Sequence, residues 1–214
     1  MIAKLLIIKS IKIKKTMSKG LIIGLVIAAL VVFWGIGVRN GMATGNQDVA
    51  ASWAKVETAY QRRADLIPNL VKTVQGVANF EKGTLTDVIN ARASATQIKL
   101  DATDLSPENI QKYQAAQSQL SGSLSRLMAV AESYPQLKAT QNFSELQSQL
   151  EGTENRIKEE RDRFNGTVKG FNNKIVTFPG SLIASFSGFA VKGYFQADAG
   201  ASKAPTVDFG GGAK

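Results

Sequence analysis

Apolar side chains recur every three or four residues along most of the chain, which is the spacing of one face of an α-helix. The clearest pattern lies in the C-terminal half, where large apolar side chains recur at every seventh residue. They are Phe143, Leu150, Ile157, Phe164, Phe171 and Phe178. A sustained seven-residue period predicts a coiled-coil-like packing seam between helices. Because no alternating strand pattern occurs, the predicted fold class is all-α.

Three further stretches with helical spacing precede this one. They cover residues 49–60, 67–89 and 110–131. The first two are separated by Asp65, a candidate helix cap, and by Pro68, which is tolerated in the first turn of a helix. The alternative is a kink at residues 64–68 within one longer helix. Four helices with short connections predict an antiparallel up-and-down four-helix bundle over residues 45–178.

Other helix boundaries follow from proline and capping residues. Ser106 precedes Pro107, a cap followed by proline at the first helical position. Tyr134 and Pro135 are predicted to end the third helix. The fourth helix is predicted to begin near residue 142, where Asn142 and Glu145 have capping-box spacing, and to end at residues 178–180, Phe-Pro-Gly.

Residues 20–38 form an uncharged apolar run near the N-terminus. At about 1.5 Å per residue the run spans roughly 28 Å, close to the hydrocarbon thickness of a bilayer. The alternative is a cleaved signal peptide, whose apolar region is normally shorter and ends at a small-residue cleavage site. The following residues, RNGMATGNQ, are a poor cleavage site. We therefore expect an uncleaved transmembrane helix.

Lysines before the apolar run indicate its orientation. Six lysines lie in the basic tail of residues 1–19, and Arg39 directly follows the run. Because positive charge stays on the cytoplasmic side, this asymmetry predicts a single-pass protein of the inner (cytoplasmic) membrane with the N-terminus inside and the domain outside. The sequence from Met17 also resembles a natural start. A chain beginning there would keep only Lys19 before the run, and the asymmetry would nearly vanish.

The net charge of +9 would favour a nucleic-acid partner if the positive charge lay on the folded domain. From residue 40 onward 19 basic side chains accompany 17 acidic ones, so the surplus belongs to the tail and we expect no nucleic-acid partner.

The chain has no cysteine and no histidine, which excludes disulfides and the usual zinc ligands. No nucleotide-binding or hydrolase motif occurs. We expect no catalytic residue, cofactor or metal, although a carboxylate-only calcium or magnesium site is left open.

The C-terminal part is apolar first and polar later. Residues 179–197 are predicted to form an apolar segment close to the membrane. The uncharged stretch of residues 175–191 is too short and too interrupted for a second span. This segment is expected either to fold back under the bundle as a cap or to lie in the membrane interface. Residues 198–214 are expected to form a flexible tail.

Several short runs resemble the LemA family. They are RRADLIPNLV at 62–71, ARA at 91–93, LMAVAESYPQLKA at 127–139, NF at 142–143, LQ at 146–147, TENRI at 153–157, FP at 178–179 and YF at 194–195. Phenylalanine stands at 164 and 171 where the family often has tyrosine before asparagine, while Asn165 and Asn172 remain. The resemblance covers about residues 45–209 and implies a bacterial membrane protein with an N-terminal helix and a four-helix domain.

The resemblance does not imply an enzyme. It links some relatives to membrane shaping in magnetosome formation and others to membrane metalloproteases. The resemblance also suggests an external N-terminus, which conflicts with the orientation predicted from the lysines. The competing orientations therefore remain open at this point.

Two polar groups are candidate interaction sites. In the predicted bundle the first and third turns meet at the end away from the membrane. The candidate partner-binding residues there are Arg62, Arg63, Asp65, Asn69, Tyr134 and Lys138. A semi-buried polar network is predicted at Glu154, Asn155 and Arg156. Glu159, Glu160 and Asp162 are interpreted as a solvated face of mixed charge.

These patterns predict a non-enzymatic, membrane-tethered scaffold of the bacterial cell envelope. Its partners would be membrane lipid and an unidentified protein, for which a membrane protease is one candidate, or further copies of itself in a homo-oligomer. The alternative function is membrane remodelling by oligomers, with the apolar segment of residues 179–197 bending the bilayer.

Overall fold

The computed structural model describes residues 18–76 and 80–197, which form helices and connecting segments without a strand. The helices are α1 (Lys19–Gln75), α2 (Lys82–Gln97), α3 (Pro107–Ala131), α4 (Pro135–Lys138), α5 (Gln141–Val176) and α6 (Gly180–Ser187). The predicted all-α class is confirmed. The predictions for the tail before residue 18, for Val77 and for residues 198–214 lie outside the described residues.

The first third of α1 is apolar and uncovered by the rest of the protein. Residues 20–34 are exposed throughout, and Gly35 is the first residue of the run to be partly covered. Within the described residues, α1 is the one helix that is long and apolar enough to cross a membrane. Exposed apolar side chains over this length are stable in hydrocarbon and unstable in water. A candidate transmembrane segment therefore lies where the sequence predicted it.

The predicted turn at residues 64–68 is wrong, because α1 continues through Pro68 to Gln75. Proline has no N–H, so the carbonyl four residues earlier, that of Ala64, lacks its helical donor. The Nε of Arg92 on α2 donates to this carbonyl at 2.7 Å. Asp65 caps no helix and instead accepts a hydrogen bond of 2.8 Å from Gln61 within α1.

The helices beyond the apolar run are antiparallel to the helices they pack on. α1 packs along α5, and α2 packs along α3. Gly45 of α1 lies against Phe171 near the end of α5, whereas Arg63 is paired with Glu154 nearer its start. α5 therefore returns toward the apolar run, and its C-terminus lies at the membrane-proximal end of the domain.

Two clusters of buried apolar side chains hold the domain together. The distal cluster joins the last turns of α1 to α2, α3, α4 and the start of α5, and includes Leu70, Val88, Leu127, Leu137 and Phe143. The proximal cluster surrounds Trp53 and also includes Met42, Leu105, Ile110, Phe164 and Phe171. Burial of these side chains is the main favourable term for the helix packing.

The seven-residue seam is buried along α5 and stops where the helix stops. Its first five members are buried, whereas Phe178 lies beyond the end of α5 at Val176 and is 79% exposed. The predicted seam is therefore wrong at its last position. The proposed capping box is also wrong, because Thr140 precedes the first turn of α5 and Glu145 accepts a hydrogen bond from Gln141.

The chain reverses sharply after α5 and folds back over the domain. α6 begins at Gly180, where a side chain would collide with the carbonyl oxygen of Lys174. Residues 189–197 then run without helix between α3 and α5, and we call them the strap. Gly193 of the strap lies so close to the start of α3 that a Cβ would be 2.7 Å from the Cα of Pro107.

Candidate functional site

An open groove runs between α3 and α5, because these two helices pack chiefly on other partners. The α3 side carries small polar residues, including Ser118, Ser121 and Ser125, and the α5 side carries Glu154 and Ile157. The groove has a volume of about 710 Å³. It continues toward the distal end as a second depression of about 810 Å³. This size is within the range of ligand-binding clefts.

Arg63 of α1 forms the floor of the groove and is 1% exposed. Its Nη1 donates to Ser121 Oγ and to Glu154 Oε1, both at 2.6 Å. Its Nη2 donates to Gln117 Oε1 at 2.6 Å, and its guanidinium lies 5.1 Å from the centre of the Tyr60 ring. One buried cation thus joins α1, α3 and α5 below the groove.

The charge of Arg63 is balanced on the side that faces the groove. The side chain of Glu154 is 43% exposed, so the pair is half in water. Arg63 Nε is buried and has no hydrogen-bond partner among the described residues. The carboxylate of Glu154 therefore faces the groove. The guanidinium of Arg63 lies below it, and most of its N–H groups already donate hydrogen bonds within the protein.

The strap fills the proximal part of the same groove. Asn172 on α5 pairs with Lys192: its Oδ1 accepts from the backbone N–H and its Nδ2 donates to the carbonyl, both at 2.9 Å. Asn165 pairs in the same way with Phe195, again with two bonds of 2.9 Å. The N–H and C=O of one residue point to the same side only in extended backbone. Each side-chain amide therefore replaces one residue of a neighbouring β-strand.

The α3 side holds the strap in the same manner. Gln114 accepts a hydrogen bond from the N–H of Gln196 at 2.9 Å and donates to its carbonyl at 3.0 Å. Arg161 on α5 donates to that same carbonyl at 2.6 Å. Extended chain in this groove is thus bound through its backbone from both walls, which is the logic of β-strand addition.

Phe195 anchors the strap in the proximal core. Its ring is stacked on Trp53 with centroids 6.1 Å apart and meets Phe164 edge-on at 5.5 Å. The guanidinium of Arg161 lies 5.2 Å from the ring centre on the outer side. Aromatic pairs of this kind add to the energy of burial itself. The open part of the groove begins where the strap reaches Gln196.

The residues predicted to share the distal tip are not collected there. Arg62, Asp65 and Asn69 are exposed along the second half of the extramembrane part of α1. Lys138 is exposed on α4, while Tyr134 packs at the distal end with its ring 5.0 Å from that of Phe80. The prediction placed these residues together only because it placed a turn at residues 64–68. With α1 continuous, Arg62 precedes the distal end of α1 by about 20 Å.

The residues predicted to form a polar network divide between two places. Glu154 belongs to the groove floor with Arg63, and Asn155 is exposed at the groove rim. Arg156 lies 3.2 Å from Glu159 and 2.7 Å from Glu160. Glu160 is 1% exposed, so its interpretation as part of a solvated face is wrong. The alternating charges of residues 158–163 are typical of an exposed helix face, so the sequence pattern did not indicate that the carboxylate of Glu160 is buried.

Sequence reasoning missed the side-chain amides that bind the strap, which are Gln114, Asn165 and Asn172. A signal was present, because Asn165 and Asn172 directly follow Phe164 and Phe171 at the same seven-residue spacing. Polar residues that accompany a buried heptad position face the edge of the core and need partners. Their partners lie at least 20 residues away along the chain, which no local pattern indicates.

Ionisable groups near the strap have shifted pKa values. Burial raises the pKa of Tyr113, with the neighbouring Tyr60 as a smaller cause. Burial lowers the pKa of Lys192, against the attraction of Asp104. The described residues hold no group of three or more acidic side chains placed to bind a metal ion.

Comparison with known proteins gives one family. A family model described as the LemA family matches residues 52–209, which is most of the chain. The match includes α2, α3, α4, α5 and α6, the strap, and the part of α1 that carries Arg63 and Pro68. The groove and the strap therefore lie within the matched region.

Three relatives are identical to this chain at about a quarter of the aligned positions. Magnetosome protein MamQ 2 of Paramagnetospirillum magneticum and magnetosome protein MamQ of Magnetospirillum gryphiswaldense are each 25% identical over 174 residues, which cover 73% of this chain. Protein LemA of Metamycoplasma hominis is 24% identical over 149 residues, or 70% of this chain. The chain spans 64% of the length of each relative.

Proposed function

This chain belongs to the LemA family, and from that premise we propose that it is a non-enzymatic, membrane-tethered scaffold of the bacterial cell envelope. The apolar part of α1 anchors the chain, and the helices α1, α2, α3 and α5 form an antiparallel four-helix bundle. The bundle holds a protein partner, for which a membrane protease is one candidate, in the open part of the groove.

One observation carries the proposal: the groove already binds extended chain. The strap is held through its backbone by Gln114, Asn165 and Asn172. The open part continues the same walls and offers hydroxyl, amide and carboxylate groups that include Ser118, Ser125 and Glu154. A partner segment bound here would add to the strap as a second extended piece of chain. Such binding needs little side-chain specificity, which suits a scaffold.

Photocrosslinking from inside the groove tests the proposal. A benzoylphenylalanine at Ser118 in the full chain, activated in native membranes, should give a discrete adduct with a second protein. The fragment attached to Ser118, identified by mass spectrometry, should come from an extended segment of that protein. Adducts that contain only lipid or this chain's own peptides would contradict the proposal.

Two glycines provide matched blocking variants. Gly122 lines the groove on α3, Gly152 lies on α5 outside it, and a Cβ at either position would meet no atom within 4 Å. Gly122→Trp should therefore fill the groove and abolish the adduct without disturbing the fold. Gly152→Trp should leave the adduct intact. Equal adduct yields in the two variants would show that the crosslinked surface is not the groove.

Membrane remodelling is the second candidate, favoured by the exposed apolar side chains of α6 near the apolar run. Two relatives are named magnetosome proteins. Cryo-electron microscopy of vesicles that contain the full chain tests this function. Tubes or buds that Phe186→Asp removes would support remodelling, and unchanged spherical vesicles would oppose it.

A further inference from the structure

We propose that α6 is a second membrane contact, which lies in the lipid interface beside the transmembrane part of α1. The proposal concerns the membrane-proximal end of the domain and does not depend on what occupies the groove. Its central observation is that α6 and the apolar run are in contact.

The position of α6 along α1 fixes its depth. A Cβ built on Gly35 lies 3.7 Å from the Cδ1 of Ile183, and Val38 packs with Ile183 and Phe189 against the proximal cluster. Gly35 is inside the uncharged run of residues 20–38 and precedes its end by three residues. Three residues of helix correspond to about 4.5 Å. α6 therefore lies at the same depth as the C-terminal end of the apolar run, and that run must be covered by hydrocarbon.

The outer surface of α6 is apolar and unusually exposed. Phe186 is 90% exposed, Leu182 is 53% exposed, and Phe178 just before the helix is 79% exposed. Leu182 and Phe186 are four residues apart and share one face of the helix. The opposite side is already used, since Ala184 is buried in the proximal cluster. These side chains are too exposed to act as a cap for the bundle.

Polar groups on α6 are compatible with a lipid environment. Ser185 is the polar neighbour of Phe186, and its hydroxyl lies 2.9 Å from the carbonyl of Leu182 and 3.2 Å from that of Ser181. A hydroxyl satisfied within its own helix costs little to transfer out of water. α6 itself, Gly180–Ser187, contains no charged residue.

Charge at this end of the protein suits an anionic lipid surface. Residues 20–47 and 164–188, which include the apolar run and α6, contain no aspartate or glutamate, and their basic residues, Arg39, Lys169 and Lys174, are exposed. Lys174 lies at the start of the reversal into α6, with its Nζ 3.5 Å from the carbonyl of Gly41. Amphipathic segments that combine an apolar face with nearby cations bind the boundary between headgroups and acyl chains.

Spin labels measure this depth directly, because the chain has no cysteine to remove. Phe186→Cys carries a nitroxide on the proposed lipid face, and Asn155→Cys carries one on an exposed part of α5 far from the membrane. The full chain is reconstituted in vesicles of phosphatidylcholine and phosphatidylglycerol. Power saturation with oxygen and with a water-soluble nickel chelate then gives the depth of each label.

The label at residue 186 should lie about 5–10 Å below the phosphates, accessible to oxygen and protected from nickel. The label at residue 155 should show the reverse. Equal access of nickel to both labels would overturn the proposal. Strong dipolar broadening at residue 186 that is relieved by dilution with unlabelled chain would also overturn it, because the occupant would then be a second copy of this chain.

Discussion

Arg92 on α2 makes the hydrogen bond that Pro68 on α1 cannot make. The proline leaves the carbonyl of Ala64 without a backbone donor, and the Nε of Arg92 occupies that place at 2.7 Å. This explains how α1 passes through a proline without ending. It also ties together two runs of sequence, residues 62–71 and 91–93, that have no evident relation along the chain.

A double-mutant cycle tests whether Arg92 replaces the missing donor. Arg92→Met removes the donor and keeps the apolar stem, so we expect a loss of about 1–3 kcal/mol in unfolding free energy. In Pro68→Ala the backbone N–H of residue 68 satisfies Ala64, and Arg92→Met should then cost at least about 1 kcal/mol less. Urea denaturation of the four proteins gives the coupling. Purely additive losses would contradict the assigned role of Arg92.

The buried seam of α5 gives a second prediction with an internal control. Phe164 is fully buried against Trp53, so Phe164→Ala should cost about 3–5 kcal/mol. Phe178 continues the same sequence period but is exposed, so Phe178→Ala should change stability by less than about 0.5 kcal/mol. Thermal and urea unfolding of both variants decide the matter. Similar losses at the two positions would place Phe178 in the core.

The sequence predicted those features that depend on short spacings. The apolar run needs only its own length, and the seam of α5 follows from five buried positions that are seven residues apart. The start of α3 at Ser106–Pro107 is likewise a local signal, which the structure bears out. Each of these predictions uses a pattern contained within one continuous stretch of the chain.

The features that the sequence did not predict depend on distant partners. Pro68 was interpreted as a helix start. In the structure it lies inside α1, where Arg92 of α2 donates the hydrogen bond to Ala64 that the proline cannot donate. Phe178 kept the seven-residue period although the helix had already ended at Val176. Asn165 was noticed only as part of a motif, because its partner Phe195 is 30 residues away. The walls of the candidate groove are brought together by contacts between residues that are far apart in the sequence. No local sequence pattern therefore predicted the groove.

The strap should depend on the amide group of Asn165. Asn165→Asp keeps the oxygen that accepts from the N–H of Phe195 but replaces the donor with a carboxylate oxygen facing the Phe195 carbonyl. We expect a loss of about 1–3 kcal/mol and faster hydrogen exchange at the amide of Phe195. Asn173→Asp adds the same charge at an exposed position of the same helix. Unchanged exchange at Phe195 in Asn165→Asp would rule out the two-bond pairing.

Membrane orientation remains a prediction from the lysines of the basic tail. Ser94→Cys places a thiol on an exposed part of α2 outside the groove, and it should react with an impermeant maleimide in intact spheroplasts. Ser18→Cys lies at the other end of the apolar run and should react only after lysis. The opposite pattern of labelling would place the domain in the cytoplasm and would support an external N-terminus.

The ion pair at the groove floor should respond unequally to loss of its two members. Glu154→Met leaves Arg63 buried at 1% exposure with no counter-charge, and an uncompensated buried charge typically costs about 3–5 kcal/mol. Arg63→Met leaves Glu154, which is 43% exposed and keeps its hydration. The hydroxyl of Ser121 borders the groove, where water reaches it. Gln117 is buried, but leaving its neutral amide oxygen without a partner costs about 1–3 kcal/mol, less than an uncompensated buried charge. Glu154→Met should therefore be the more destabilising change, and restoring a carboxylate with Glu154→Asp should recover part of the loss. If Arg63→Met proves the more costly of the two, the floor of the groove is held by the contacts of the guanidinium with Ser121, Gln117 and Tyr60 rather than by its ion pair with Glu154.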